Sequence, residues 1–168
     1  MQSPLRGQED VRKEFDLSTD EKMIISIGEL DDNKNHIIVI KALARLERND
    51  FKYIICGAGP NKDMLMAEAK RLGIGDHVVL AGYRSDIPDI LNAADIFVFP
   101  SYHEGMPVSA LEAMACGLPI ICSEIRGNID IVNEGDNGYL FGTSDFNTLS
   151  RKIALLMLSL IHISEPTR

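Results

Sequence analysis

Six short apolar runs, each followed by a segment with helical spacing, constrain the fold of this chain most strongly. The runs lie at residues 23–28, 51–57, 77–81, 96–99, 119–123 and 138–141. Each is nearly continuous in apolar residues, as in strands that are buried on both faces of a parallel sheet. Strands that alternate with helices predict an α/β fold, a doubly wound parallel six-stranded Rossmann-like sheet. We expect the order 3-2-1-4-5-6, which places the switch point between the first and fourth strands.

Apolar residues at helical spacing fill the segments between these runs. We expect helices over residues 36–48, 61–72, 86–93, 129–133 and 145–158, and one that begins near Met106 or Pro107. Gly73 and Gly117 follow two of these helices, where glycine commonly ends a helix. Ser144 or Asp145 is the expected cap of the last helix, because a short side chain with an oxygen accepts a hydrogen bond from the first turn.

The length of 168 residues is enough for one domain with a substantial core. Residues 1–20 are charged and contain proline and glycine, so we interpret them as a linker or hinge with a short helix at 11–15. Residues 21–158 form the predicted domain. Residues 159–168 break the pattern, and we interpret them as a tail of non-native sequence that is left out of the fold prediction.

The charge balance argues against some classes of partner. The chain has 17 Lys and Arg residues against 25 Asp and Glu residues, a net charge of −8. Because nucleic-acid-binding proteins neutralise phosphates with basic stripes, we expect no nucleic-acid partner.

The longest apolar run, residues 153–163, is shorter than the roughly 20 residues that cross a bilayer, so we expect no transmembrane segment. Residues 1–20 are too polar for a signal peptide.

The three cysteines and four histidines give no metal pattern. Cys56, Cys116 and Cys122 lie in apolar segments without ligand spacing, which predicts free thiols in a reducing compartment and hence a cytoplasmic protein. The histidines likewise have no partners at ligand spacing, so we expect no metal site.

The stretch from residue 94 to residue 121 reads strand, loop, helix, strand and contains two glutamates eight positions apart. Glu104 follows the predicted fourth strand, and Glu112 lies on the second turn of the helix. Ligands of open α/β sheets bind at this edge, and a helix start favours an anion such as phosphate. The N–H groups expected to face that anion belong to Gly105, Met106, Val108 and Ser109. Glu112 is then suited to a diol and Glu104 to the group attached to the phosphate.

Residues 104–119 read Glu-Gly-Met-Pro-Val-Ser-Ala-Leu-Glu-Ala-Met-Ala-Cys-Gly-Leu-Pro. This pattern closely resembles the motif of family 4 glycosyltransferases, retaining enzymes of GT-B fold that use nucleotide-sugar donors. The resemblance covers residues 11–156 and includes the segments at 26–30 with Lys34, 57–60, 79–83 and 138–141. Residues 28–36 are most similar to the capsular and exopolysaccharide members.

The resemblance implies that the chain is the C-terminal, donor-binding half of a GT-B fold, and that an N-terminal acceptor domain is missing from it. It implies Glu104 and Lys34 as catalytic residues, with Lys34 on the diphosphate, and Tyr83 or Arg84 stacked on the base. The further donor-binding residues that it implies are Gly28, Gly105, Met106, Val108, Ser109 and Glu112.

The implied reaction moves a sugar, from a UDP-sugar as the expected donor, to a saccharide or lipid-linked acceptor with retention. No cofactor and no metal are expected, and peripheral membrane association of the complete enzyme is compatible with such an acceptor. One position departs from the family pattern. Glu29 stands where the family usually has an arginine after the glycine that corresponds to Gly28. The loss of that positive charge leaves open a weaker donor affinity, a different donor, or a phosphate neutralised by Lys34 and the helix dipole alone.

Two other functions remain compatible with the residues. One is a nucleotide-sugar epimerase on the same scaffold, and the other is a non-catalytic flavodoxin-like binding module in which Glu104 and Glu112 are surface acids. The segment Gly57-x-Gly59 is an incomplete dinucleotide motif, because Lys62 occupies the place of the third glycine, and we interpret it as a tight turn. Fold analogy alone does not decide between these functions.

Overall fold

The computed structural model describes the backbone of residues 6–164 and the side chains as far as residue 160. The strands are β1 (Lys22–Ile27), β2 (Phe51–Cys56), β3 (Val78–Gly82), β4 (Ile96–Phe99), β5 (Ile120–Ser123) and β6 (Gly138–Phe141). They form one parallel sheet of order β3-β2-β1-β4-β5-β6. The predicted fold class, strand order and switch point are therefore confirmed.

Helices cover both faces of the sheet. They are α1 (Gln8–Glu14), α2 (His36–Ala44), α3 (Lys62–Arg71), α4 (Ile87–Ala93), α5 (Val108–Ala115), α6 (Arg126–Ile129) and α7 (Phe146–Ser164). Side chains alternate between two cores along β1, since Ile24 packs with α2, α3 and α7 while Met23 and Ile25 pack with α1, α4 and α5. All three side chains are fully buried. This burial on both faces explains why the strand sequences are continuous apolar runs.

The two ends of the predicted domain differ from expectation. In the segment expected to be a linker, α1 buries Val11 completely and packs against α4. Residues 8–17 are thus part of the domain, while a connection to a further domain remains a prediction. At the other end, α7 continues to Ser164, past the predicted stop at residue 158. Leu156 and Leu160 pack against the core, which explains why the helix extends into the segment interpreted as a tail. Residues 165–168 lie outside the described part.

Local hydrogen bonds determine two helix boundaries. Asp145 caps α7, because its carboxylate accepts hydrogen bonds from the backbone N–H and the hydroxyl of Thr148, at 3.0 and 2.6 Å. The short helix expected at residues 129–133 lies instead at Arg126–Ile129. Its earlier start follows from Asn128, whose buried amide donates to the Ser123 carbonyl at 2.9 Å and draws the chain back onto the end of β5.

Among the described residues, no helix combines the length and hydropathy of a membrane span.

Candidate functional site

The loops that follow β1 and β4 meet at the switch point of the sheet, as the strand order requires. Backbone and side-chain hydrogen bonds of Asn33 join them directly. The Tyr102 N–H donates to the Asn33 carbonyl at 2.9 Å, and the Asn33 side chain pairs with both the N–H and the carbonyl of His103, at 3.1 and 3.0 Å. The buried Asn35 amide donates to the carbonyls of Pro100 and Thr143, both at 3.0 Å. The two loops therefore form one connected unit.

An ion pair lies between these loops. The Lys34 ammonium is 2.5 Å from Glu104 Oε1, and the Ser101 hydroxyl donates to the same oxygen at 3.1 Å. The Lys34 and Glu104 side chains are 25% and 15% exposed, so the pair is accessible to a ligand without being fully solvated. Gly28 lies against the lysine stem, because a Cβ at this position would be 3.2 Å from Lys34 Cδ. Sequence reasoning placed Gly28, Lys34 and Glu104 across one crevice, and the structure brings them together there.

The start of α5 differs in detail from expectation. Pro107 has φ −80° and ψ 69°, the geometry of an inverse γ-turn, and Val108 N–H donates to the Met106 carbonyl at 2.9 Å. The prediction that Val108 offers an N–H group to an anion is therefore wrong, because this turn already uses it. Within the described residues, the N–H groups of Gly105, Met106 and Ser109 have no hydrogen-bond acceptor. Three of the four predicted donors thus remain available at the helix start.

Glu112 lies on α5 one turn after Val108, on the same side of the helix. It is exposed, and its carboxylate makes no hydrogen bond or ion pair within the described part of the chain. Glu104 and Glu112, which the sequence could not distinguish from surface acids, therefore differ in environment. Glu104 is held by Lys34 and Ser101, whereas Glu112 is open to a ligand.

Arg84 does not have the environment expected of a residue that stacks on a base. Its guanidinium donates to Glu14 at 2.6 Å and to Asp86 at 2.9 Å, and it lies 5.4 Å from the centre of the Phe15 ring. Hydrogen bonds to the two carboxylates raise the pKa of Arg84 well above its usual value. The predicted stacking partner is thus already committed to joining α1 to the loop before α4, because residues of the expected linker reach it.

Tyr83 remains available, with 84% of its surface exposed. It stands with Gly28 and Glu29 in the wall of a cleft of about 510 Å³ that Arg84 also lines. Gly57 is in the same wall, and a Cβ there would lie 2.0 Å from the Gly28 carbonyl oxygen. The glycine at position 57 is therefore required by the close approach of two loops, which agrees with its interpretation as a turn rather than a dinucleotide motif.

Sequence reasoning expected Gly127 in a further loop of the crevice but gave no role in the site to His36 or Arg126. His36 is buried, its Nε2 lies 3.1 Å from the Glu29 carbonyl, and burial lowers its pKa to about 4. Arg126 lines a second cleft of about 300 Å³ together with Glu104 and Gly105, and it forms no ion pair among the described residues. Gly127 packs beside them, since a Cβ there would be 2.9 Å from the Gly105 carbonyl oxygen. The order of residues along the chain gave no signal for these contacts between loops.

A further cleft of about 560 Å³ lies away from these residues. Its lining includes Leu118, Tyr139 and Leu156, and it contains none of the predicted site residues. Neither the cleft nor any other part of the described chain holds a group of three or more His, Cys, Asp or Glu residues arranged for a metal ion. The expectation of a metal-free site stays a prediction.

A family profile described as glycosyl transferases group 1 matches residues 7–161. The chain belongs to the group 1 glycosyltransferases. The resemblance inferred from residues 104–119 is thereby confirmed at the level of the family. The matched range also includes α1, in agreement with the packing of that helix on the domain.

Two relatives show how much of a group 1 glycosyltransferase this chain represents. The putative glycosyltransferase EpsD of Bacillus subtilis is 31% identical over 156 residues, which are 92% of this chain and 41% of EpsD. The UDP-Gal:alpha-D-GlcNAc-diphosphoundecaprenol alpha-1,3-galactosyltransferase of Escherichia coli is 35% identical over 127 residues, 73% of this chain and 33% of that protein. The chain thus spans less than half the length of either relative.

The fold is shared with a solved structure, Alr3699/HepE of Anabaena in complex with UDP. The two superpose with a TM-score of 0.85 at 24% identity, over 91% of this chain and 43% of HepE. Further HepE structures contain UDP with glucose, or UDP-glucose. At this level of identity the likeness establishes the fold of this group 1 glycosyltransferase chain.

Proposed function

We propose that this chain binds the nucleotide-sugar donor, with UDP as the nucleotide, in an enzyme that transfers the sugar with retention to a saccharide or lipid-linked acceptor. One observation carries the proposal. At the switch point, the Lys34–Glu104 pair lies in the same loops that lead to N–H groups at the start of α5, which have no acceptor among the described residues, and to the open carboxylate of Glu112. A cation, free N–H groups and an acid are the groups needed for a diphosphate and a ribose diol.

Each part of the donor has a partner in this arrangement. Lys34 and the N–H groups of Gly105, Met106 and Ser109 bind the diphosphate, because both are attractive to anions. Glu112 accepts hydrogen bonds from the ribose hydroxyls, and Glu104 faces the transferred sugar. The cleft beside Gly28 and Tyr83 takes the base. The names of the relatives support this assignment, since one is a UDP-Gal-dependent transferase and HepE crystallised with UDP.

The chemistry assigned to these residues is electrostatic. As the bond to the sugar breaks, negative charge grows on the leaving diphosphate, and prepositioned N–H groups with Lys34 stabilise it. Because Lys34 pairs with Glu104 in the unliganded chain, the diphosphate has to compete with that carboxylate for the ammonium. The exposed Glu29 adds a further negative charge at the cleft, which weakens donor binding. No cofactor or metal is needed for these roles.

The complete reaction requires more than the described domain. We assign the acceptor to a further, N-terminal domain, which fits the 41% of EpsD that this chain spans. The chain by itself is then expected to bind donor weakly and to transfer no measurable sugar. The diphosphoundecaprenol acceptor in the name of the Escherichia coli relative supports peripheral membrane association of the complete enzyme. A cytoplasmic location fits the three cysteines, which are all unpaired.

Calorimetric titration of UDP into the chain tests the donor site. We expect saturable binding that weakens at least tenfold in Glu112→Ala, which is the loss of about 1.4 kcal/mol of binding free energy. Glu9→Ala is the matched control, because Glu9 is also an exposed helical glutamate but lies on α1, and it should leave the affinity unchanged. GDP in place of UDP tests the choice of base.

Two results would contradict the proposal. If the folded chain shows no saturable UDP binding at millimolar concentrations, the donor assignment fails. If Glu112→Ala and Glu9→Ala bind UDP equally well, Glu112 is a surface acid and the assignment of the ribose to α5 is wrong.

A further inference from the structure

The contact between the two site loops is not made by the ion pair alone. Asn33 directly precedes Lys34, and His103 directly precedes Glu104. The Asn33 side chain bonds to the His103 backbone next to the ion pair of Lys34 and Glu104. The Asn33 amide both accepts from the His103 N–H and donates to the His103 carbonyl, as one peptide group does with another in a sheet. The main-chain bond from Tyr102 to Asn33 adds a third contact.

The far side of Lys34 is anchored as well. Asn35 is 3% exposed, has a left-handed backbone with φ 58°, and donates to the carbonyls of Pro100 and Thr143. Asparagine tolerates this conformation better than most residues with a side chain. Lys34 is therefore held between two asparagines whose side chains bond to backbone groups of other loops.

The ion pair by itself does not fix the two backbones. The Lys34 side chain is long and rotatable, so an ammonium at its end can reach Glu104 from more than one arrangement of the loops, and holding it in one arrangement costs entropy. The hydrogen bonds of Asn33, by contrast, fix the position of the His103 backbone relative to the Asn33 backbone. They do so whether or not Lys34 and Glu104 are charged. The pair forms because the backbones already place its partners opposite each other.

We propose that Asn33 is a positioning residue of the candidate donor site: its side-chain amide, bonded to both backbone groups of His103, holds Lys34 opposite Glu104. The effect on donor binding rests on the proposed function, whereas the effect on the ion pair does not. In the unliganded chain Asn33 keeps the ammonium at one place, so that the diphosphate meets a cation that is already positioned.

The ion pair can be measured without any ligand. In the parent chain, Lys34→Ala should shift the carboxylate ¹³C resonance of Glu104, because it removes the ammonium 2.5 Å away. In an Asn33→Ala background the same substitution should shift that resonance about threefold less, the coupling that a double-mutant cycle isolates. Asn61→Ala is the matched control. Its amide also reaches the loop after β1, at Asp32 Oδ1 and 2.9 Å, but does not touch the loop that carries Glu104.

UDP titration then measures the functional consequence. If Asn33→Ala leaves Lys34 correctly placed in about one molecule in ten, the affinity for UDP falls about tenfold, and Asn61→Ala leaves it unchanged. Asn33→Asp keeps the acceptor for the His103 N–H, loses the donor and adds a negative charge near the proposed diphosphate site, so its affinity should fall at least as far as that of Asn33→Ala. This second variant also serves if the alanine variant fails to give a folded amide spectrum.

The outcomes separate the inference from the proposed function. An equal Glu104 shift in the parent and Asn33→Ala backgrounds overturns the positioning role, whatever UDP does. A smaller shift with unchanged UDP affinity also overturns it, because the pair would then be irrelevant to the donor. If the parent chain binds no UDP, the proposed function fails, and the carboxylate shift still decides whether Asn33 holds Lys34.

Discussion

Two basic side chains at the same edge of the sheet, Lys34 and Arg84, have opposite environments. Among the described residues, Lys34 has a single carboxylate partner, Glu104, and lies at the switch point beside N–H groups at the start of α5 that have no acceptor there. Arg84 is bonded to two carboxylates, Glu14 and Asp86, and its guanidinium stacks over Phe15. The first arrangement leaves a cation that a diphosphate can recruit, and the second uses its cation to fasten α1 to the domain.

The difference shows that position at the ligand-binding edge is not enough to assign a role. Both residues follow a strand of the parallel sheet, and both were expected to contact the donor. The number of partners that each charge already has distinguishes them. A guanidinium with two carboxylates gains little from a further anion, whereas an ammonium with one partner can exchange it.

The largest expected effect concerns His36, which contacts the loop that carries Lys34. His36 lies buried at the start of α2 with its Nε2 against the Glu29 carbonyl, and burial lowers its pKa from 6.5 to about 4. Between these two pH values the unfolded chain binds a proton at His36 that the folded chain does not. The free energy of unfolding should therefore fall as the pH falls from 6.5 to 4, by about 3 kcal/mol from this group.

Urea unfolding at pH 7 and pH 4.5 measures this effect. His36→Gln should lose less stability than the parent chain over the same interval, since it has no proton to gain at this position. His103→Gln, a change at an exposed histidine of the neighbouring loop, should lose as much as the parent. Equal pH dependence in His36→Gln and the parent would show that burial of His36 does not resist protonation.

The second prediction tests whether Lys34 can exchange Glu104 for the diphosphate. Lys34→Ala should weaken UDP binding about 30-fold, because a charge-assisted hydrogen bond contributes about 2 kcal/mol. Lys41→Ala removes an exposed lysine from α2 and should leave the affinity within twofold of the parent. If both lysine variants bind UDP like the parent, Lys34 is not a ligand of the diphosphate.

The third prediction tests whether Arg84 stabilises the fold rather than binding the donor. Arg84→Ala should lower the free energy of unfolding by about 1 to 2 kcal/mol, a figure that is reduced for the partial exposure of its carboxylate partners. Its effect on UDP affinity should be small, because the guanidinium is held by Glu14 and Asp86. Arg71→Ala, at an arginine that is 67% exposed, is the stability control. A large loss of UDP affinity with unchanged stability would reverse the comparison between Arg84 and Lys34.

The smallest effect concerns the acid that replaces the expected arginine. Glu29→Ala removes an exposed negative charge from the cleft of Gly28 and Tyr83, so UDP affinity should rise by about twofold at low salt. The gain should disappear in 0.5 M salt, where such charges are screened. Weaker binding in Glu29→Ala would mean that this carboxylate contacts the donor directly.

Much of the fold of this chain could be predicted from the periodicity and composition of its sequence. The six apolar runs, the strand order and the position of the switch point all followed from residues that are local in sequence. The helix boundaries were less predictable because tertiary contacts decide them. Asn128 moves α6 toward β5, and Leu160 extends α7 beyond its predicted end.

The candidate site could be predicted as a location but not as a set of contacts. Glu104 and Lys34 were expected in one crevice, and they are bonded there. The sequence did not show that Glu14 reaches Arg84, since α1 was interpreted as a linker, or that the turn at Pro107 uses the N–H of Val108. It also did not show that Asn33 bonds to His103, which is 70 positions away.

The central claim is that Lys34 and the start of α5 bind the diphosphate and the ribose of the donor, while Arg84 stays paired with Glu14 and Asp86. Titration of UDP into the ¹⁵N-labelled chain, followed by amide chemical shifts, tests it most directly. We expect saturable shifts at Gly28, Lys34, Tyr83, Gly105, Met106 and residues 108–112, with the amides of Glu14 and Asp86 unmoved because their pairing with Arg84 persists. Shifts centred on Arg84 and α1 with residues 105–112 unmoved would contradict the account, as would a folded chain in which UDP moves no amide at all.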